Sequence, residues 1–185
     1  MTQRVFQIAA GYEDANDCNT LKDDPIFKLC ADRLPESDPA LASQPTMPRF
    51  ENSISRTNLY RLARVLVDLF IQSYDEQPNI IVLDFDDTEN ETHANQQLQL
   101  FNNFYKSHCY QPLHVYEGVS GKLIATILKP GKRSDGKQML MIVKRLIAYL
   151  RAHWPKTIFI YRGDSHFAYP DVMAWIDQRS TASTQ

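Results

Sequence analysis

A chain of 185 residues with 43% hydrophobic side chains and a net charge of -2 can bury a substantial core, as one domain or as one domain with a small appendage. No apolar run reaches the roughly 20 residues of a membrane-spanning helix. The best one, Val65 to Ile71, is broken by Asp68, and the start of the chain is unlike a signal peptide, so a cytoplasmic protein without a membrane partner is expected.

Cys18, Cys30 and Cys109 are odd in number, widely spaced and without a CxxC pair, which argues against a disulfide framework or a zinc site and for small buried hydrophobes. Charge is unevenly spread. From Ser120 to Arg162 there are ten Lys or Arg against a single acid, Asp135, leaving ten bases and 21 acids elsewhere. A basic segment beside an acidic one suggests a polyanionic substrate.

Residues 1 to about 76 read as a helical, polar-rich region. Asp24-Pro25 followed by Ile26, Leu29 and Cys30 gives a cap, a first-turn proline and a helical stripe. Pro35, Pro39, Pro45 and Pro48 make Leu34 to Arg49 a loop or extended segment. A second helix is predicted from about Ser55 to Tyr74, with Leu59, Leu62, Leu66, Leu69 and Phe70 on its apolar stripe.

A catalytic-type domain is expected over 77–185. Its central stretch is NIIVLDFDDT, Asn79 to Thr88, in which four aliphatics bounded by Gln77-Pro78 and by acids read as a strand buried on both faces. The strand period of two would set Asp84 and Asp86 on one face and Asp87 on the other. Paired carboxylates repel unless a divalent cation or a shared proton offsets the repulsion. The stretch 88–111 fits helix and strand about equally. Pro112 to Glu117 and Lys122 to Leu128 flank GVSG as a hairpin. Lys137 to His153 has helical spacing through Met139, Ile142, Val143, Leu146, Ile147 and Leu150, with Pro155 as its stop. Thr157 to Tyr161 reads as a second buried strand that ends in RGDSH, and Tyr169 to Arg179 as a last helix.

A helix between two strands makes a right-handed crossover, so the strand at 157 is predicted to run parallel to the strand at 79 and to bring Asp164 beside Asp84 and Asp86. Carboxylates without His or Cys at ligand spacing suit Mg²⁺ or Mn²⁺, and a two-metal site of that kind supports phosphodiester displacement. Thr88, His93, Gln96, Arg162 and His166 surround these acids in sequence and are candidate substrate contacts. Lys129, Lys132, Arg133 and Lys137 are candidates for contacts to a DNA backbone.

Two resemblances follow from these residues. LDFDDT and the later GDS resemble the haloacid-dehalogenase-like phosphatases, with Asp84 as nucleophile and Asp86 as general acid/base. The expected hairpin between them departs from the parallel sheet of that family. The longer resemblance runs from about Gln3 to Arg179. QRVFQIAAGYEDANDCNTLKDDP, LASQPTMPRFEN, LDFDDTENETHANQQLQLFNNFY, CYQPLHVYEG, LKPGK, LRAHWP and RGDSHFAYPDVMAW, in this order, are similar to DDE transposases of bacterial insertion sequences of the IS-thirteen-eighty family.

That resemblance implies an α/β, ribonuclease-H-like core with a mixed sheet behind a small helical region, incomplete at its C-terminus. It also implies a two-metal Mg²⁺ or Mn²⁺ site, and terminal inverted-repeat DNA as partner, with a homo-oligomer in the full-length protein. Asp86 and Asp164 become the catalytic metal-binding acids, with Asp84 in support. Ala94 stands where relatives tend to carry Gly. The third acid, a Glu on a later helix, is expected beyond Asp164, and RSTASTQ does not resemble the continuation, so a truncated and inactive fragment, or a non-catalytic DNA-binding remnant, is expected. Glu89, Glu91 and Glu117, the nearest other acids, are expected to face solvent.

Overall fold

The computed structural model describes residues 1–92 and 99–182. These residues divide into two compact units, Met1–Leu59 and Tyr60–Gln185.

The first unit holds short helices: α1 (Thr2–Ala9), α2 (Cys18–Leu21), α3 (Pro25–Cys30) and α4 (Thr46–Asn52). Its ties are largely polar. The Gln3 amide donates to the Ala42 carbonyl and accepts from the Ala42 N–H, at 3.0 and 2.9 Å, as a strand neighbour would. The buried Lys28 ammonium donates to the carbonyls of Pro35 and Asp38. Asp24 caps α3 by accepting from the N–H groups of Ile26 and Phe27, as its Asp-Pro sequence predicts. The expected loop 34–49 is shorter than predicted, because Pro48 is the third residue of α4, where its missing N–H costs no helical bond.

Helix α5 (Arg56–Gln72) begins in the first unit and continues into the second. Its buried stripe agrees only in part with the predicted one. Phe70 enters the core as expected, joined by Val67 and with Ile71 and Tyr74 against it, whereas Leu59, Leu62 and Leu69 are exposed. Helical periodicity fixed the helix but not the angle at which it docks.

The second unit is a mixed sheet with helices packed on one face. Strand β1 (Ile80–Asp87) is followed by the short β2 (Asn90–Glu91), β3 (Leu100–Asn102) and β4 (Ser107–Tyr110), then by β5 (Leu113–Glu117) and β6 (Leu123–Ile127). Helix α6 (Gly136–His153) crosses to β7 (Ile158–Gly163), and α7 (Pro170–Ala182) follows. The main sheet has the order β6-β5-β1-β7; β5 is antiparallel to β1 and β6, and β7 is parallel to β1. This is the mixed α/β fold expected, with a hairpin and a crossover helix in the predicted places. The stretch 88–111, open in sequence, forms a second small sheet, β2-β4-β3, whose strands of two to four residues are too short to show a period.

Ile81, Leu83 and Phe85 of β1 are buried against Val115, Ile124, Met139, Val143, Leu150 and Val172. The opposite face is more open: Ile80, Ile158 and Ile160 are exposed. Both apolar runs were expected to be buried on two faces, and the difference arises because the core gathers on only one side of this sheet.

One acid shapes the hairpin. Glu117 is only 3% exposed, contrary to the expectation that it faces solvent. Its Oε1 accepts from the Val82 N–H at 3.3 Å, and its Oε2 accepts from the N–H groups of Val119 at 3.1 Å and Ser120 at 2.5 Å. Burial pushes the carboxyl group up, but these donors, Ser120 foremost, outweigh burial and hold it below the ordinary value of 4.5. A carboxylate depressed in the folded state stabilises fully above the unfolded value, and the contribution disappears as pH falls through the lower folded value. Glu117→Gln should therefore cost about 1–3 kcal/mol at neutral pH and make the loss of stability below pH 4.5 shallower. Urea denaturation of both proteins across that range checks this, and parallel acid profiles would contradict it.

Candidate active-site cleft

Consecutive carboxylates at the end of β1 meet three different surroundings. The β1–β7 register pairs Asp84 with Arg162 and Phe85 with Gly163. One residue further along both chains are Asp86 and Asp164, on strands whose neighbours run about 4.8 Å apart. Both acids line one cavity of about 550 Å³. Asp164 is held by its own turn, its Oδ1 accepting from the His166 N–H at 2.8 Å. That turn is fixed from below by Tyr161, which donates to the Phe167 carbonyl at 3.0 Å and is pushed up to about 12 by burial, so it remains a donor at any ordinary pH. Gly163 permits the turn to close, since a Cβ there would collide with the Phe167 ring.

Asp84 shares a strand face with Asp86, as predicted, but does not line the cavity. It accepts from the Arg162 guanidinium at 2.7 Å, which holds its carboxyl below the usual carboxylate range. Arg162 also donates to the Gly118 carbonyl, and Gly118 leaves the room the guanidinium needs. Two sequence candidates, a supporting metal ligand and a substrate contact, thus occupy one another.

Asp87 was not singled out by sequence, yet its side chain is only 6% exposed and borders the cavity. Its Oδ2 accepts from the Lys129 ammonium at 2.5 Å and lies 3.5 Å from the His166 Nε2. Its Oδ1 is buried without a hydrogen-bond partner among the described residues, as are the Gln111 Oε1 and the His166 Nε2. Lys129, a candidate DNA-backbone contact in the sequence, has a side chain that is 11% exposed and paired with Asp87.

Arg133 lies at the cavity, where it donates to the His166 carbonyl and stacks on the Tyr169 ring at 4.6 Å from the centroid. Lys132 and Lys137 are exposed. Thr88 is exposed and its N–H donates to the Pro112 carbonyl; it does not border the cavity. His93 and Gln96 lie outside the described residues. Asn102, Phe104 and Tyr105 complete the rim from the β3–β4 turn, where the Asn102 Oδ1 accepts from the Phe104 and Tyr105 N–H groups and Lys106 takes a positive φ of 57°. The Asn-Asn pair of this turn was its only signal in sequence.

The side chains bordering the cavity are oxygen-rich: the Asp86 and Asp164 carboxylates, with Asp87 and Gln111, each of which has one buried oxygen without a partner among the described residues. Such a set fits Mg²⁺ or Mn²⁺, ions that are commonly held by one or two carboxylates with water and substrate phosphate completing the shell. Among the described residues no three His, Cys, Asp or Glu side chains form a cage by themselves. No described helix is long and apolar enough to cross a membrane.

Comparison with known proteins gives three findings. No curated protein sequence matches. Remote structural likeness is found to the Mos1 strand transfer complex, with 10% identity and a TM-score of 0.34 over 94% of this chain and 62% of that one. It is found also to the Drosophila P element transposase strand transfer complex, with 12% identity and a TM-score of 0.30 over 88% and 45%. The chain thus spans less than two thirds of either structure, and likeness at this level assigns no residue. A family profile described as transposase DDE domain group 1, by contrast, matches residues 1–184. Over that span, the chain belongs to the transposase DDE domain group 1 family.

Proposed function

We propose that this chain is the catalytic-core region of a DNA transposase of the bacterial insertion-sequence type, of the IS-thirteen-eighty family, acting on terminal-repeat DNA in the cytoplasm. The observation that carries the reading is that Asp86 and Asp164, remote in sequence, end neighbouring parallel strands and line one cavity. Asp86 and Asp164 would hold a divalent metal ion, whose bound form supplies Lewis-acid stabilisation of a phosphodiester undergoing displacement. Arg133 borders the same space and offers a fixed cation to a phosphate oxygen. The phosphatase reading requires Asp84 to reach the substrate, and Asp84 instead faces Arg162 away from the cavity lining.

Lys129 serves the cleft indirectly in this reading. A buried ammonium against Asp87 matches the charge of that side chain from within the protein. Among the described residues, Glu117 is bonded within the hairpin and Glu89 accepts from Ser107, and neither lines the cavity.

Two measurements test these assignments. Mn²⁺ binding followed by calorimetry should weaken on the order of 10-fold or more in Asp86→Asn and in Asp164→Asn, and remain unchanged in Asp84→Asn. An equal loss in Asp84→Asn would contradict the arrangement. Lys129→Ala, which strands a buried carboxylate, should cost about 3–5 kcal/mol of stability. Lys129→Met combined with Asp87→Asn should recover most of it. A Lys129→Ala protein of unchanged stability would place Lys129 back among surface contacts.

A further inference from the structure

A second basic surface lies apart from the cleft, between α5 and α6. Residues 60–72 and 138–153 together carry Arg61, Arg64, Lys144, Arg145 and Arg151 against one acid, Asp68. Asp68 faces inward to the pair of helices, its Oδ1 accepting from the Tyr149 hydroxyl at 2.5 Å. The Tyr149 ring so fixed carries the Arg64 guanidinium 4.4 Å above its centroid. Arg64, Tyr149, Arg145, Tyr60, Ala148 and Ala152 line an open groove of about 640 Å³. None of these six residues borders the acidic cleft.

Three features of the groove point to one kind of occupant. Arg64 and Arg145 are exposed and form no ion pair among the described residues. Contact with the Tyr149 ring holds the Arg64 guanidinium in place in advance, which lowers the entropy lost when it meets a phosphate. Ala148 and Ala152, one helical turn apart on α6, form a low floor over which a backbone can approach both arginines. Tyr60, 55% exposed, supplies an apolar edge with a hydroxyl beside them. Two of the cations, Arg64 and Arg145, flank this concavity, while Lys144 lies over the Trp175 ring and Arg151 donates to the Pro155 and Thr157 carbonyls; the one acid is already bonded.

We propose that this groove binds the sugar-phosphate backbone of duplex DNA, as a contact separate from the catalytic cleft, with Arg64 and Arg145 each neutralising one phosphate. The proposal rests on the reading that the partner is DNA, and the test separates the two. Binding of a fluorescent duplex to the 185-residue protein is measured by anisotropy across a salt series. The logarithmic salt slope should fall by about 1.8 in Arg64→Ala/Arg145→Ala, at about 0.9 per released phosphate contact. Arg64→Lys/Arg145→Lys, which keeps both charges, should restore most of the slope. Lys132→Ala/Lys137→Ala should remove an additional, independent part. Thermal melting of each variant guards against loss of the fold, and the lysine pair keeps the test valid if the alanine pair melts early. A wild-type protein that binds duplex with a slope untouched in a folded alanine pair would overturn the groove and leave the DNA reading standing. A wild-type protein that binds no duplex would overturn both. Competition by polyglutamate at the same phosphate-equivalent concentration as DNA would overturn the proposal in favour of an acidic protein partner.

Discussion

The parallel pairing of β1 with β7 is the constraint on which the cleft depends. Nearly eighty residues separate the two strands, and only the crossover through α6 lets them run side by side in one direction. That helix is held by Met139, Val143, Leu146, Ile147 and Leu150, all buried, and begins at an Asp135 cap that accepts from the Gln138 N–H at 2.7 Å. Once the register is set, Asp84 must meet Arg162, and the next residues of both chains must emerge together at the carboxyl ends of the strands. In α/β sheets that edge is where the chain leaves the core and side chains become available to a ligand.

Placing three acids within four residues at such an edge carries an electrostatic cost, and the fold meets it differently at each position. Asp84 is matched by an arginine from the neighbouring strand, at 2.7 Å and partly exposed, where screening keeps the gain modest. Asp87 is matched by a buried lysine at 2.5 Å, in surroundings where losing the partner is far more damaging than the pair is favourable. Asp86 faces the cavity opposite Asp164. Neutralising the two flanking acids from within the protein leaves the pair at the cavity as the charge that an external cation can satisfy. Glu117, close in sequence to none of them, is removed from competition by three backbone N–H donors.

The sequence was most informative where a strong period met a chemical signal. The hairpin, the crossover helix with its stripe and the two acid-tipped strands were all legible, because four or more aliphatics in a row or a sustained helical stripe leave few alternatives. Asp86 and Asp164 could be joined from the sequence, since the connection rule fixes which strands run parallel. What escaped were features decided by partners. Strand period alone said that Asp87 points away from Asp86, but nothing local said that Lys129 waits there, 42 residues on. Lys129 looked like one more surface cation for the same reason. The exposed Leu59, Leu62 and Leu69 show the corresponding limit for helices: an apolar stripe has a width, and docking selects an edge of it. Strands of two to four residues beside the cleft carry no period at all.

The central claim is that Asp86 and Asp164 together face one divalent ion in this cleft. The most direct test is a crystal soaked in Mn²⁺ with anomalous diffraction data collected at an energy where manganese scatters strongly. The account predicts an anomalous peak within coordination distance of carboxylate oxygens of both Asp86 and Asp164, at about 2.0–2.3 Å for a hard divalent ion of this size, with Asp84 still on Arg162. A peak on Asp84 with Arg162 displaced, or well-ordered Asp86 and Asp164 side chains with no peak between them at saturating Mn²⁺, would contradict it.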